Sequence, residues 1–269
     1  MYFDEVKSVT EFWRSPDIPQ LESRRSCQAV SCYRPHTHER FSIGLIDAGR
    51  AVFAGAAGSP VALEPGDVLL IPAATVHSCN QQEGLWEYQM IHADQEWIGG
   101  LLPDGATELL HGIRVFRDTA LHGEFSRIND RLFDGAEPGQ VRRSLGEALR
   151  QCAARVPFFH ELRDPDEGLS TRLAPVLDRL RNDPTNPALE DLVELCGMSK
   201  YQLIRAVKEF TGLSPLAWRL NERVIAAREM LRDGRTLSDT AHELGFTDQS
   251  HFHRVFRAHV AATPGTYRG

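Results

Sequence analysis

The chain has 269 residues, 42% of them hydrophobic and 25% charged, with 30 Lys and Arg against 37 Asp and Glu for a formal net charge of −7. Two domains of ordinary size fit that length, and the acidic balance excludes a protein that holds nucleic acid by bulk positive charge. The opening residues carry no basic segment followed by an apolar stretch and no run approaches about 18 apolar residues, so neither a secretory signal nor a membrane span is predicted. Five scattered cysteines, Cys27, Cys32, Cys79, Cys152 and Cys196, fit reduced thiols in a cytoplasm.

Residues 1–18 read as an N-terminal arm and residues 19–118 as an all-β barrel. Strands are predicted at 42–49, closing on Gly49, then at 51–55, at 68–72 after a turn through Pro65-Gly66, and at 86–92. Many short strands joined by Gly and Pro turns argue for a jelly roll or barrel. In a strand, His36 and His38 point the same way. A barrel brings His77 towards them, giving a three-nitrogen set that suits a divalent, zinc-like ion; the same histidines equally line a polar effector pocket or satisfy local hydrogen bonds. Trp86, Tyr88 and Met90 share a strand face, either as the apolar wall of that pocket or as ordinary core.

Two amphipathic helices follow at 121–133 and 141–156. Ile128 with Leu132, and Leu145 with Leu149 and Cys152, form their stripes, which serve a dimer surface over 119–156 or simple core packing. Residues 157–169, with Asp164-Pro-Asp-Glu-Gly168, read as a linker.

From residue 170 the pattern becomes helical and repeats itself. Residues 189–199 return at 237–247, matching Leu189 with Leu237, Gly197 with Gly245 and Ser199 with Thr247; one inserted residue later, Leu203 falls on Phe252, Arg205 on Arg254, Lys208 on Arg257 and Pro215 on Pro264. In each copy a short helix ends at a glycine free to turn left-handed, and Ser199, or Thr247 and Asp248, caps a second helix. This is helix-turn-helix grammar. The outer faces carry Lys200, Tyr201, Gln202, Arg205 and Lys208 in the first copy and Gln249, Ser250, His251, His253, Arg254 and Arg257 in the second, residue types that suit base edges and phosphates. The helix between the copies is predicted to bury Leu216, Leu220, Val224 and Ala227, with Arg219, Arg223 and Arg228 elsewhere. From Ser170 onward 14 Lys and Arg stand against 12 Asp and Glu, a net +2 that leaves −9 for the rest. DNA affinity must therefore come from placed contacts and dimerisation.

Residues 170–269 resemble the DNA-binding domain of AraC/XylS-type bacterial transcription regulators. The resemblance rests on Gly245-Phe-Thr-Asp-Gln-Ser-His-Phe-His-Arg-Val-Phe-Arg257 and the closing Thr263-Pro-Gly-Thr-Tyr-Arg268. Ala261 stands where that family has glycine, and Val207 where its first copy has phenylalanine. The string His36-Thr-His38, Gly49, Pro65-Gly-Asp67, Pro72 and His77 is similar to the cupin barrel of the same regulators. The cupin glutamate after His38 is missing, Ser42 and Ile43 standing there, and Gln81 stands where asparagine is usual. The resemblance implies a two-domain regulator without catalytic residues: a cupin-like jelly-roll barrel with flanking helices senses a small-molecule effector, and an all-α domain with two helix-turn-helices reads promoter DNA. It also implies a homodimer, and RNA polymerase as a partner of an activator. A metal-dependent cupin enzyme fused to a DNA-binding domain, and a constitutive DNA binder with an inert barrel, are the alternatives.

Overall fold

The computed structural model describes residues 8–29, 33–56, 60–162 and 167–269. The first seven residues of the arm, Cys32 and positions 163–166 of the linker lie outside the described residues. Within them, β1 (Val9–Trp13), β2 (Leu21–Gln28), β3 (Phe41–Gly55), β4 (Pro60–Leu63), β5 (Asp67–Ile71), β6 (His77–Ala93), β7 (Ile113–Arg117) and β8 (Phe159–Glu161) form one sheet. Its order is β1-β2-β6-β3-β5-β7-β8, with β4 on β3 and antiparallel pairing. The segments expected as separate strands at 42–49 and 51–55 form the single strand β3, and the one expected at 86–92 extends over the whole of β6. Gly49 lies inside β3 at φ 82°, where a Cβ would collide with the Leu85 carbonyl oxygen, so the glycine marks a close strand approach rather than a turn. The described part of the arm is no free tail either, because β1 pairs with β2 from Val9↔Cys27 to Trp13↔Ser23.

The short helix α1 (Gln95–Gly99) precedes β7, and α2 (Thr119–Phe133) and α3 (Pro138–Ala153) follow it. Asp118 caps α2 by accepting the N–H groups of Ala120 and Leu121 at 2.9 and 3.0 Å, and Pro138 opens α3 with its φ already helical. Their apolar stripes are used internally: Leu121, Phe125, Ile128, Leu132, Leu145, Leu149 and Cys152 join Ile43, Leu45, Val68, Leu70 and Ile91 of the sheet in one core. Where α2 crosses the sheet the core admits a polar seam. Ser23 donates to Asn129, which donates to Gln89 at 2.6 Å, and Gln89 donates to Asp47 at 3.0 Å and to Ser126 at 3.1 Å.

The C-terminal part is helical: α4 (Glu167–Asn182), α5 (Leu189–Cys196), α6 (Lys200–Thr211), α7 (Pro215–Arg232), α8 (Leu237–Glu243), α9 (Gln249–Val260) and α10 (Pro264–Arg268). The described residues fall into two compact units. One holds 8–29, 38–75 without the undescribed 57–59, and 79–162; the other holds 167–269 together with 33–37 and 76–78. The segment 33–37 is bonded directly to the helices of its unit. The Arg34 N–H donates to the Ala258 carbonyl at 3.1 Å, the Thr37 N–H donates to Asn221 Oδ1 at 2.9 Å, and Asn221 Nδ2 donates to Thr37 Oγ1 at 2.7 Å.

Candidate functional site

The sheet has two chemically different faces. Ser23, bonded to Asn129, points towards α2, so the alternate residues Glu22, Arg24, Ser26 and Gln28 lie on the opposite face. Cross-strand register places Gln28 opposite Trp86, Ser26 opposite Tyr88, Arg24 opposite Met90 and Glu22 opposite His92. The expected alignment of Trp86, Tyr88 and Met90 is present, and the Trp86 and Tyr88 rings stack at 4.3 Å. Arg24, absent from the sequence reading, is 6% exposed. Its guanidinium lies 5.2 Å from the Tyr88 ring centre and 5.3 Å from that of Phe12, and it donates to Ser26 Oγ at 2.7 Å. Such a cation, desolvated between aromatic rings, attracts an anion strongly. At the other end of this face Ser42 Oγ and His92 Nδ1 are 2.8 Å apart, and the His38 ring lies 4.7 Å from that of His92.

The histidines are positioned differently from the strand pair expected. His36 makes an isolated bridge with His77, their backbones exchanging bonds of 3.0 Å, and His38 lies outside any strand. The donor atoms of His36, His38 and His77 nevertheless lie within 4.8 Å of one another. His36 Nδ1 donates to the Arg34 carbonyl at 2.7 Å, which fixes the ring and turns Nε2 to other use. Burial, and then the neighbouring His77, hold the His36 imidazole well below its ordinary pKa, hence neutral, as a ligand must be. The donor set fits a tetrahedral divalent ion with one open position.

The helix-turn-helix elements follow the predicted punctuation. Gly197 ends α5 at φ 62°, and Gly245 takes φ 67° after α8. Ser199 caps α6, and Gln202 reaches back to the Ser199 N–H at 2.9 Å, so its side-chain oxygen completes a capping box. Asp248, rather than Thr247, caps α9 by accepting from the His251 N–H at 2.7 Å. Leu203 and Val207, like Phe252 and Phe256, are buried, leaving Tyr201, Arg205, Lys208, Gln249, Ser250, Arg254 and Arg257 exposed. Lys200 pairs with Glu190, and His251 is half-buried against Phe246 at 5.6 Å.

Helix α7 departs from the expected face. Leu216 is 59% exposed, whereas Arg219 and Arg228 are 1% and 5% exposed. Arg219 donates to the Thr185 carbonyl and Arg228 to the Tyr267 hydroxyl at 3.3 Å, so these cations are anchors rather than surface charge. Burial and the proximity of Arg219 bring Arg223 down to about 10. Hydrophobic periodicity cannot see such a face, because the buried groups that define it are charged.

A family profile described as the AraC-like ligand binding domain matches residues 19–153, and one described as a helix-turn-helix domain matches 192–269. The uncharacterized HTH-type transcriptional regulator YbfI of Bacillus subtilis is 28% identical over 242 residues, 86% of this chain and 85% of that protein. The arabinose operon regulatory protein of Escherichia coli is 23% identical over 225 residues, covering 78% of this chain and 74% of its own. In fold, the chain is similar to ToxT of Vibrio cholerae O395 with a TM-score of 0.54 at 11% identity, over 97% of this chain and 96% of that one. A cupin-like ligand-binding domain followed by paired helix-turn-helices defines a ligand-responsive, DNA-binding transcription regulator. The chain belongs to the AraC family.

Proposed function

We propose that the effector is a small carboxylate-bearing molecule held on the polar sheet face, its anion on Arg24 and its apolar body against Phe12, Trp86, Tyr88 and Met90. Buried Arg24 carries this reading, since a desolvated guanidinium favours a bidentate anion. ToxT of Vibrio cholerae has been crystallised with an unsaturated fatty acid, at a TM-score of 0.53 and 11% identity, which supports the class. Phe12 sits on β1, so ligand contact there biases the N-terminal strand and through it the regulator's DNA-competent state. Thermal-shift screening of carboxylic acids on the full chain tests this. A ligand at 100 times its Kd stabilises by about 2.7 kcal/mol, and Arg24→Gln should abolish that response. A response unchanged in Arg24→Gln would move the anion site elsewhere.

Promoter DNA is read by α6 and α9 through Lys200, Tyr201, Gln202, Arg205, Lys208, Gln249, Ser250, His251, Arg254 and Arg257. The regulator works in the cytoplasm as a homodimer and, where it activates, with RNA polymerase. The apolar stripes of α2 and α3 being buried, their outer face is the dimer surface: an open groove of about 510 Å³ where Glu124 and Glu147 stand among Arg127, Arg131, Arg143 and Arg150, so that the carboxylates of one copy can meet guanidinium groups of the other across a twofold axis. The barrel senses rather than catalyses. A zinc-like ion on His36, His38 and His77 is a second reading of the effector end, favoured by their mutual approach within 4.8 Å. Metal analysis after dialysis checks it: one equivalent per chain, lost in His38→Ala, supports the ion, and no retained metal leaves the histidines as hydrogen-bonding walls.

A further inference from the structure

At two outer positions α6 carries an aromatic or apolar side chain where α9 carries a polar one. On α6 the exposed face carries Tyr201, 76% exposed, and Ile204, 39% exposed, while Leu203, Ala206 and Val207 are buried behind them. The 49-residue offset that aligns the copies puts Ser250 and His253 at the same places on α9. Ile204 thus presents part of a β-branched side chain to solvent in the second turn of the helix, among Lys200, Arg205 and Lys208. Lys200 is paired with Glu190, while Arg205 and Lys208 favour a polyanionic partner over a protein surface, and within a duplex the apolar group available in the major groove is the thymine C5-methyl.

We propose that Ile204, with Tyr201 one turn before it, reads thymine methyl groups in the half-site under α6, whereas the half-site under α9 is read by polar contacts. The proposal rests on α6 entering the major groove. It makes the two half-sites chemically unlike: one sensitive to the methyl group, the other to hydrogen-bond pattern.

The test selects a duplex from a random-sequence library with the full-length protein, then replaces each dT singly by dU, which removes the methyl and leaves the pairing intact. At one or two positions wild-type affinity should fall about fourfold, which is the ~0.8 kcal/mol of one buried carbon at about 1.4 kcal/mol per tenfold. Ile204→Ala should bind dT and dU equally at those positions, and Ile204→Val should retain part of the preference. Ile204 is exposed, so these variants fold, and their affinity for the remaining positions verifies it. Equal binding of dT and dU duplexes by the wild type, or an undiminished preference in Ile204→Ala, would overturn the inference while leaving DNA reading in place. Failure to enrich any sequence would overturn the reading of α6 on which it rests.

Discussion

Gly197 and Gly245 occupy equivalent turns but face different surroundings. A Cβ on Gly197 meets nothing within 4 Å, whereas one on Gly245 would collide with the Pro184 carbonyl oxygen and lie 2.9 Å from Arg223. Gly197→Ala should therefore cost about 1–2 kcal/mol of left-handed strain, and Gly245→Ala clearly more, because the backbone at Pro184 must move as well. Urea denaturation of both variants measures the difference; equal losses would mean that the second turn has room to relax. Ala261 presents the opposite case, an alanine held at φ 52° at the end of α9. Ala261→Gly relieves that strain against a smaller entropic loss, for a predicted gain of about 0.5–1 kcal/mol, read as a higher melting temperature. Residues of this kind were legible in the sequence because punctuation is local. Arg24 was not: Leu-Glu-Ser-Arg-Arg-Ser-Cys-Gln28 reads as a polar surface strand, and only its register with β6, some 60 residues away in the chain, turns Arg24 onto a buried face.

At the scale of the helix, we propose that α6 and α9 separate reading from holding. Lys208 and Arg257 stand exposed one turn beyond the base-reading positions, so neutralising either should weaken binding to all sequences and lower the slope of log K against log salt by about one. Gln249→Ala, in the first turn of α9, should instead relax specificity at one or two base pairs by about 1–3 kcal/mol. Quantitative footprinting at several salt concentrations distinguishes the two behaviours, and a loss confined to one sequence in the Lys208 variant would reverse the assignment. Helix α9 also carries a pH dependence. His259 is buried, Nδ1 donating to the Val255 carbonyl at 2.8 Å, and burial lowers its pKa below the ordinary value of 6.5. The unfolded chain then binds the proton more readily, so stability is full above about pH 6.5, falls as the pH drops below it, and levels off beneath the folded pKa. His259→Gln should reduce the slope of the stability profile between pH 7.5 and 5 without abolishing it, because the buried His36, also held below its ordinary value, acts in the same direction. An unchanged profile would assign the dependence to other groups.

In the whole molecule, the order of the parts was plain from the sequence, since turn residues, caps and a repeat announce strands before helices. What the sequence concealed depends on pairing between distant segments. It could not tell whether the stripes of 121–133 and 141–156 meet a partner or the sheet, and the sheet takes them. Nor could it show that 33–37 is bonded with the C-terminal helices and in turn with 76–78, because backbone bonds such as Arg34 to Ala258 and His36 to His77 leave no compositional trace. The histidines show both sides of this. Spacing proposed that His36, His38 and His77 meet, and their donor atoms lie within 4.8 Å of one another, yet through a bridge from His36 to the first residue of β6 instead of a strand shared by His36 and His38. If the polar face is the effector site, His38→Ala should abolish effector-induced stabilisation measured by calorimetry and leave operator binding in a gel shift intact, since the His38 ring packs against His92 on that face.

The buried arginines of α7 have a consequence for the promoter. With Arg219 tied to Thr185 and Arg228 to Tyr267, the 18-residue helix between the two reading helices behaves as a rod of about 27 Å, pinned along its length. A rod has no slack. Inserting half a helical turn, about five base pairs, between the half-sites carries one of them to the far side of the duplex, and affinity should drop to that of a single half-site. A whole-turn insertion restores the phase but adds roughly 34 Å, beyond the reach of the rod, so it should not rescue binding. The operator expected of such a rod has a spacing fixed to the base pair, set by two charges buried inside the protein.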